Sequence, residues 1–202
     1  MTGIVDYGMG NLGSVKRKLD RIGVESVISS KPDELAACKK LILPGVGHFG
    51  MAVGELKKRG LWDYLNEAVL NQKKPILGIC LGMQLMAKTS EEGDAEGFGW
   101  FDATVVRFRI EDTLRYKIPH MGWNGVTVEK ESPLFEGIHR TSGFYFVHAY
   151  HMVCKEETDI LNQTIYNIPF VSAVEKGNII GVQYHPEKSH DAGERLLRNF
   201  VL

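Results

Sequence analysis

Cysteine is scarce in this chain, and what there is does not cluster. Cys38, Cys80 and Cys154 are widely spaced and form no C-x-x-C pair. That spacing argues against a disulfide scaffold or a zinc knuckle, and its natural setting is a reducing cytoplasm. An excess of one charge is also missing, since the formal net charge is −1 with 24% charged residues. A near-neutral chain carries no electrostatic footprint for nucleic acid or an anionic membrane. Its apolar runs fall far short of the ~20 residues that span a bilayer, and the opening lacks a basic-apolar export signature. Repeats, linkers and low-complexity tracts are absent too. The 202 residues, 44% of them hydrophobic, are therefore expected to form one domain over 1–202.

Strand and helix alternate in the first half. The stretches 3–7, 24–28, 40–44 and 75–80 read as strands. Residues 11–22 read as a helix, with Leu12, Val15, Leu19 and Ile22 at helical spacing. Ser30, Pro32, Asp33 and Glu34 form a helix-start signature, and further helices are expected near 49–59 and 61–71. Such alternation predicts an α/β fold with a largely parallel sheet covered on both faces. From about residue 99 the texture becomes β-rich, with short alternating runs at 103–109, 125–130, 143–153 and 171–185. These predict antiparallel strands extending the sheet, a tight hairpin at 175–178 and a closing helix over 191–201.

The opening run GIVDYGMGNLGSVKRK places Gly8, Gly10 and Gly13 in G-x-G-x-x-G spacing between a strand and a helix. That is the setting of a dinucleotide pyrophosphate loop. The corroborating acid is missing, because the second strand ends in Ile28-Ser29-Ser30. The glycines are read as serving a tight turn at the sheet edge where a partner docks, and no cofactor or metal is expected.

The stretch LGICLGMQL (77–85) carries the chemistry. G-x-C-x-G between a buried strand and a helix is the cysteine form of a nucleophile elbow; glycine at 78 and 82 removes clashing Cβ atoms. A cysteine at a helix N-terminus faces N–H groups that favour its thiolate. The same pattern also suits an inert buried cysteine. What distinguishes them is a base held by an orienting group. Of seven histidines, His185 ends an apolar strand and is followed two residues on by Glu187, on the same side of an extended chain. An oxyanion hole would draw one N–H from Leu81 and another from the Val46–Gly47 peptide of the glycine-rich loop 43–50.

Together, PGVGHFG, GICLGMQ and HPEKS resemble the class I (Cys-His-Glu) glutamine amidotransferase family. VDYGMGN, PHMGWN (119–124) and FYFVHAY (144–150) extend the resemblance over the whole chain, nearest to the glutaminase subunits of imidazole glycerol phosphate synthases. It implies a flavodoxin-like three-layer fold and hydrolysis of L-glutamine through a Cys80 thioester, with His185 and Glu187 completing the triad. It also implies that Gly47, Gln84, Glu92 and the segment His148, Ala149, Tyr150 hold the glutamine. Ala149 departs from the Ser or Thr usual in the family, which matters only if a hydroxyl there meets the substrate.

Amide hydrolysis uses the entire chain, with no P-loop or second substrate module left over, so the ammonia is expected to serve another protein. Aromatics and Met favour interface cores, and the candidate docking residues are Asn11, Ser14, Met121, Trp123, Asn124 and Tyr145. The resemblance implies a (β/α)8-barrel cyclase of histidine biosynthesis as the heterodimer partner, with a glutaminase nearly silent until the cyclase site is occupied. Flipping of the Val46–Gly47 peptide would supply the missing oxyanion donor. Three other readings remain open: a paralogue feeding a surface-sugar amidotransferase, a stand-alone γ-glutamyl cysteine hydrolase, and an inactive regulatory module.

Overall fold

The computed structural model describes residues 1–112 and 114–202. Four apolar runs form β1 (Thr2–Val5), β2 (Ser26–Ser29), β3 (Lys40–Gly45) and β4 (Ile76–Cys80). Between them lie helices α1 (Leu12–Arg21), α2 (Pro32–Ala36), α3 (Phe49–Lys58) and α4 (Leu61–Asn66), the last running on into a π-turn over Glu67–Asn71. β3 and β4 are buried almost throughout, as strands covered on both faces must be.

A single turn of helix, α5 (Leu81–Gln84), leaves β4 and leads into the β-rich half. There follow β5 (Thr89–Ser90), β6 (Ala95–Glu96), β7 (Ala103–Arg107), β8 (His120–Gly125), β9 (Thr127–Val128) and β10 (Gly143–His148). Then come β11 (Tyr150–Cys154), β12 (Ile160–Tyr166), β13 (Ile168–Lys176), β14 (Ile179–Val182) and the closing helix α6 (His190–Val201). The main sheet runs β2-β1-β3-β4-β14-β13-β11-β7-β5-β6, with β12 and β9 attached to β13. Its first five strands are parallel, and the strands from β13 to β7 pair antiparallel.

Side-chain alternation sends the two faces of this sheet into separate cores. Leu41 and Leu43 pack with Phe49, Leu56 and Leu65 on the α3–α4 side. Ile42, Leu77 and Ile79 pack with Val15, Leu19, Leu196 and Phe200 on the α1–α6 side. Period-two strands between two helical layers make the expected three-layer sandwich. Among the described residues no helix is long and apolar enough to cross a membrane.

The expected run over 143–153 is broken at Ala149. β10 pairs with β8 in a separate two-stranded sheet, whereas β11 joins the main one. The burial alternation slips there: Phe144, Phe146 and His148 are buried, then His151 and Met152. The run at 125–130 is likewise divided: Gly125 ends β8, and beyond it only Thr127–Val128 form a strand. The hairpin is as expected. Lys176 pairs with Ile179, and Gly177 takes the φ of +59° that a two-residue turn asks of its first position.

Candidate functional site

Cys80 closes β4 with φ +55° and ψ −109°, a conformation that costs a non-glycine residue ~1–3 kcal/mol. Glycines make the bend possible by allowing close approach. A Cβ at residue 78 would lie 2.6 Å from the Gly82 carbonyl oxygen, and one at 82 would collide with the Leu43 carbonyl of β3. They therefore press the elbow against the next strand as well as clearing room at the sulfur. Because α5 is only four residues long, its macrodipole is small. Any preference for thiolate comes from individual donors instead.

β14 lies parallel to β4 with Val182 opposite Ile79, so residues 183–185 leave the sheet beside Cys80. The His185 Nδ1 lies 2.8 Å from Glu187 Oε1, both side chains only 2% exposed. The pair forms through a tight 3-10 turn over Pro186–Lys188, not through the extended chain the sequence suggested. Nε2 is buried without a hydrogen-bond partner. Burial opposes charging this ring, yet the Cys80 thiolate and the Glu187 carboxylate outweigh it and raise the pKa from 6.5 to about 10. The sulfur and imidazole thus stand side by side at the end of the β4–β14 ladder.

The two amides beside the sulfur are less obvious. Gln84 is buried and donates Nε2–H groups to the Tyr150 carbonyl at 3.1 Å and to Gln183 Oε1 at 2.9 Å. Gln183, which sequence reasoning missed, is fully buried and directs its own Nε2 at Cys80 Sγ, 3.5 Å away. A glutamine inside the apolar run NIIGVQYH was the available signal, since a buried amide requires partners.

The other expected pocket residues divide. Val46 is exposed, and Gly47 adopts φ +122° against Met9 at the end of β3. Glu92 comes to this loop, where its Oε2 accepts the Phe49 N–H at 2.8 Å and satisfies the start of α3. The His148 ring turns inward: its Nδ1 lies 2.7 Å from the Tyr150 carbonyl and its Nε2 3.1 Å from His120 Nδ1. Burial pushes these two rings down, His120 to about 4 and His148 to about 3. His148 can thus border a substrate only through its backbone, because tilted ring contacts with Phe146 and Phe170 claim its ring. The Ala149 carbonyl accepts the Phe108 N–H at 3.0 Å.

Three of the expected docking residues, Met121, Trp123 and Tyr145, share one outer face. Met121 and Trp123 of β8 are 66% and 50% exposed and pair across the small sheet with Val147 and Tyr145. Trp123 stacks on His190 at 4.7 Å, and Lys188 lies over the Tyr145 ring. Neither His190 nor Lys188 was anticipated at this face. Asn124, expected at this face, alternates to the other side of β8 opposite buried Phe144, where it donates to the Ile165 carbonyl; Ser14 Oγ accepts from Arg17. Asn11 caps α1 through its backbone carbonyl, and Lys18 of that helix reaches the His190 carbonyl.

The opening glycines have a local explanation. Gly8 and Gly10 take φ of +86° and +131°, and a Cβ on Gly10 would crowd the Pro44 carbonyl at 3.2 Å. Asp6 Oδ1 accepts the Gly8 N–H at 2.9 Å and closes the turn.

A family model described as glutamine amidotransferase class-I matches residues 3–202. The chain is 46% identical over 201 residues to imidazole glycerol phosphate synthase subunit HisH 2 of Methanococcus maripaludis, covering 100% of this chain and 98% of that one. It is 49% identical over 205 residues to subunit HisH of Sulfurimonas denitrificans, covering 100% and 97%. Among solved structures, PurLQS from Thermotoga maritima shares the fold at 18% identity with a TM-score of 0.75, covering 99% of this chain and 96% of that one.

Proposed function

We propose, since this chain belongs to the glutamine amidotransferase class-I family, that it hydrolyses L-glutamine and passes the ammonia to a synthase partner. The observation that carries the reading is the buried imidazole of His185, fastened to Glu187 at Nδ1, on the strand beside a cysteine on a strained elbow.

Cys80 thiolate attacks the side-chain carbonyl carbon of glutamine, forming the C–S bond and a tetrahedral oxyanion. The N–H groups of Leu81 and of the Val46–Gly47 peptide receive that oxyanion once the peptide turns inward. His185, protonated and steadied by Glu187, gives its proton to the departing nitrogen as the C–N bond breaks, and ammonia leaves. A water molecule then surrenders a proton to His185 and attacks the thioester carbon. The C–S bond breaks, and glutamate and the resting thiolate are regenerated. Gln84, Glu92, Gly47 and the backbone of 148–150 frame the glutamine.

The names of the two relatives support a place in imidazole glycerol phosphate synthase, and "subunit" in both supports a complex. The partner in this reading is a (β/α)8-barrel cyclase seated on the face of Met121, Trp123 and Tyr145, in the cytoplasm. The test reconstitutes that complex with Cys80→Ala. Glutamine-dependent turnover is expected to vanish while turnover with ammonium salts persists; loss of both refutes the division of labour.

A further inference from the structure

The polar chain behind the nucleophile has a direction, and a backbone carbonyl sets it. The Tyr150 carbonyl can only accept, so Gln84 must present its NH2 group there. The second hydrogen of that NH2 goes to Gln183 Oε1, 2.9 Å away. With its oxygen occupied, Gln183 has no choice but to turn its own NH2 toward Cys80 Sγ, at 3.5 Å. Register enforces the same placement. Gln183 follows Val182, which lies opposite Ile79, so residue 183 stands beside Cys80 on the adjacent strand. His185, two residues further, approaches the same sulfur, while Tyr184 between them packs into the core against Phe144.

From this geometry we infer that Gln183 is a positioning residue for the nucleophile, and Gln84 the residue that orients it. This rests on the glutaminase reading above. An N–H donated to sulfur is stronger when the sulfur is a thiolate, so the bond favours the reactive charge state and holds the side chain in one rotamer. The four-residue α5 supplies little of that bias, and a fully buried amide of fixed polarity supplies it instead. The other end of the chain is the 148–150 strap, so the border of the pocket and the sulfur are joined by three successive hydrogen bonds.

The test is the pH dependence of Cys80 carboxamidomethylation by iodoacetamide, followed on the Cys80 peptide by mass spectrometry so that Cys38 and Cys154 do not interfere. In Gln183→Met, of similar size but without a donor, the midpoint is expected to rise by about one pH unit, with roughly tenfold less thiolate near neutrality. In Gln84→Met, which frees the Gln183 amide to rotate, it rises by a smaller amount. A Gln183→Met profile superimposable on wild type overturns the inference. Should that variant not fold, an unshifted midpoint in Gln84→Met does so. Alkylation is read without glutamine, so the outcomes separate: shifted midpoints in a chain with no glutaminase activity refute the proposed function alone. Unshifted midpoints in an active glutaminase refute only the role of Gln183.

Discussion

Replacing Gly82 with alanine puts a methyl group 2.9 Å from the carbonyl carbon of Leu43, and closer still to its oxygen. Ordinary heavy-atom contacts sit near ~3.5–4.0 Å, so α5 and β3 must part by more than ~1 Å to clear that oxygen. Neither yields easily. β3 is laddered to β1 on one edge and β4 on the other, and α5 starts one residue after Cys80. Overpacking of this kind costs ~1–3 kcal/mol, which lowers the thermal midpoint of a chain this size by about 2–12 °C. Because the strain falls on the nucleophile, glutaminase turnover should drop by on the order of a hundredfold, the loss expected of a ~1 Å misplacement. The control is Gly54→Ala in α3, where a Cβ meets nothing within 4 Å. That change should leave turnover alone and add ~0.5–1 kcal/mol of stability. Differential scanning calorimetry and a glutaminase assay with the cyclase present measure both. Wild-type melting and turnover in Gly82→Ala would refute the close-approach argument for the elbow.

Glu187→Gln keeps the shape of the acid but removes its charge, and should lower turnover by about ten- to a hundredfold, from the ~1.5–3 kcal/mol of a charged hydrogen bond. The raised pKa of His185, about 10 against an ordinary 6.5, means that its charged form stabilises the fold fully below about 6.5 and progressively less up to about 10. The thermal midpoint should therefore fall across that window and fall less steeply in Glu187→Gln; equal slopes count against the pairing. Trp123→Ala should weaken cyclase binding by at least about fivefold, on the ~1 kcal/mol threshold of a contributing interface residue, with an unchanged melting temperature. Titration calorimetry giving wild-type affinity would remove Trp123 from the interface.

The parallel half of the fold was legible because its information is local. Runs such as LILP and PILGIC are apolar at every position, and punctuation by Gly and Pro marks where they stop. The elbow and the His185–Glu187 pair were legible for the same reason, each lying within a few residues of chain. What escaped depends on distant partners. The strand break at Ala149 follows from β10 finding β8, and nothing in FYFVHAYHMV marks the slip except alternation itself. His148 was expected at the pocket, but the ring of His120, 28 residues upstream, holds it inward. Gln183 shows the limit most sharply. Its role is fixed by Gln84, 99 residues away, though its polarity inside an apolar strand was visible. His190 meets Trp123 only because α6 starts against the small sheet.

In the proposed complex, one residue pair of the two-stranded sheet separates the docking face from the reaction. Met121, largely in solvent, stands directly across the ladder from Val147, and the Val147 carbonyl lies 4.0 Å from the sulfur of Cys80. A protein that seats itself on Met121 thus touches β8, whose ladder partner β10 overlooks the nucleophile. In that complex, a signal from the occupied neighbour would have no core to cross and no helix to tilt, only the width of a single β-strand.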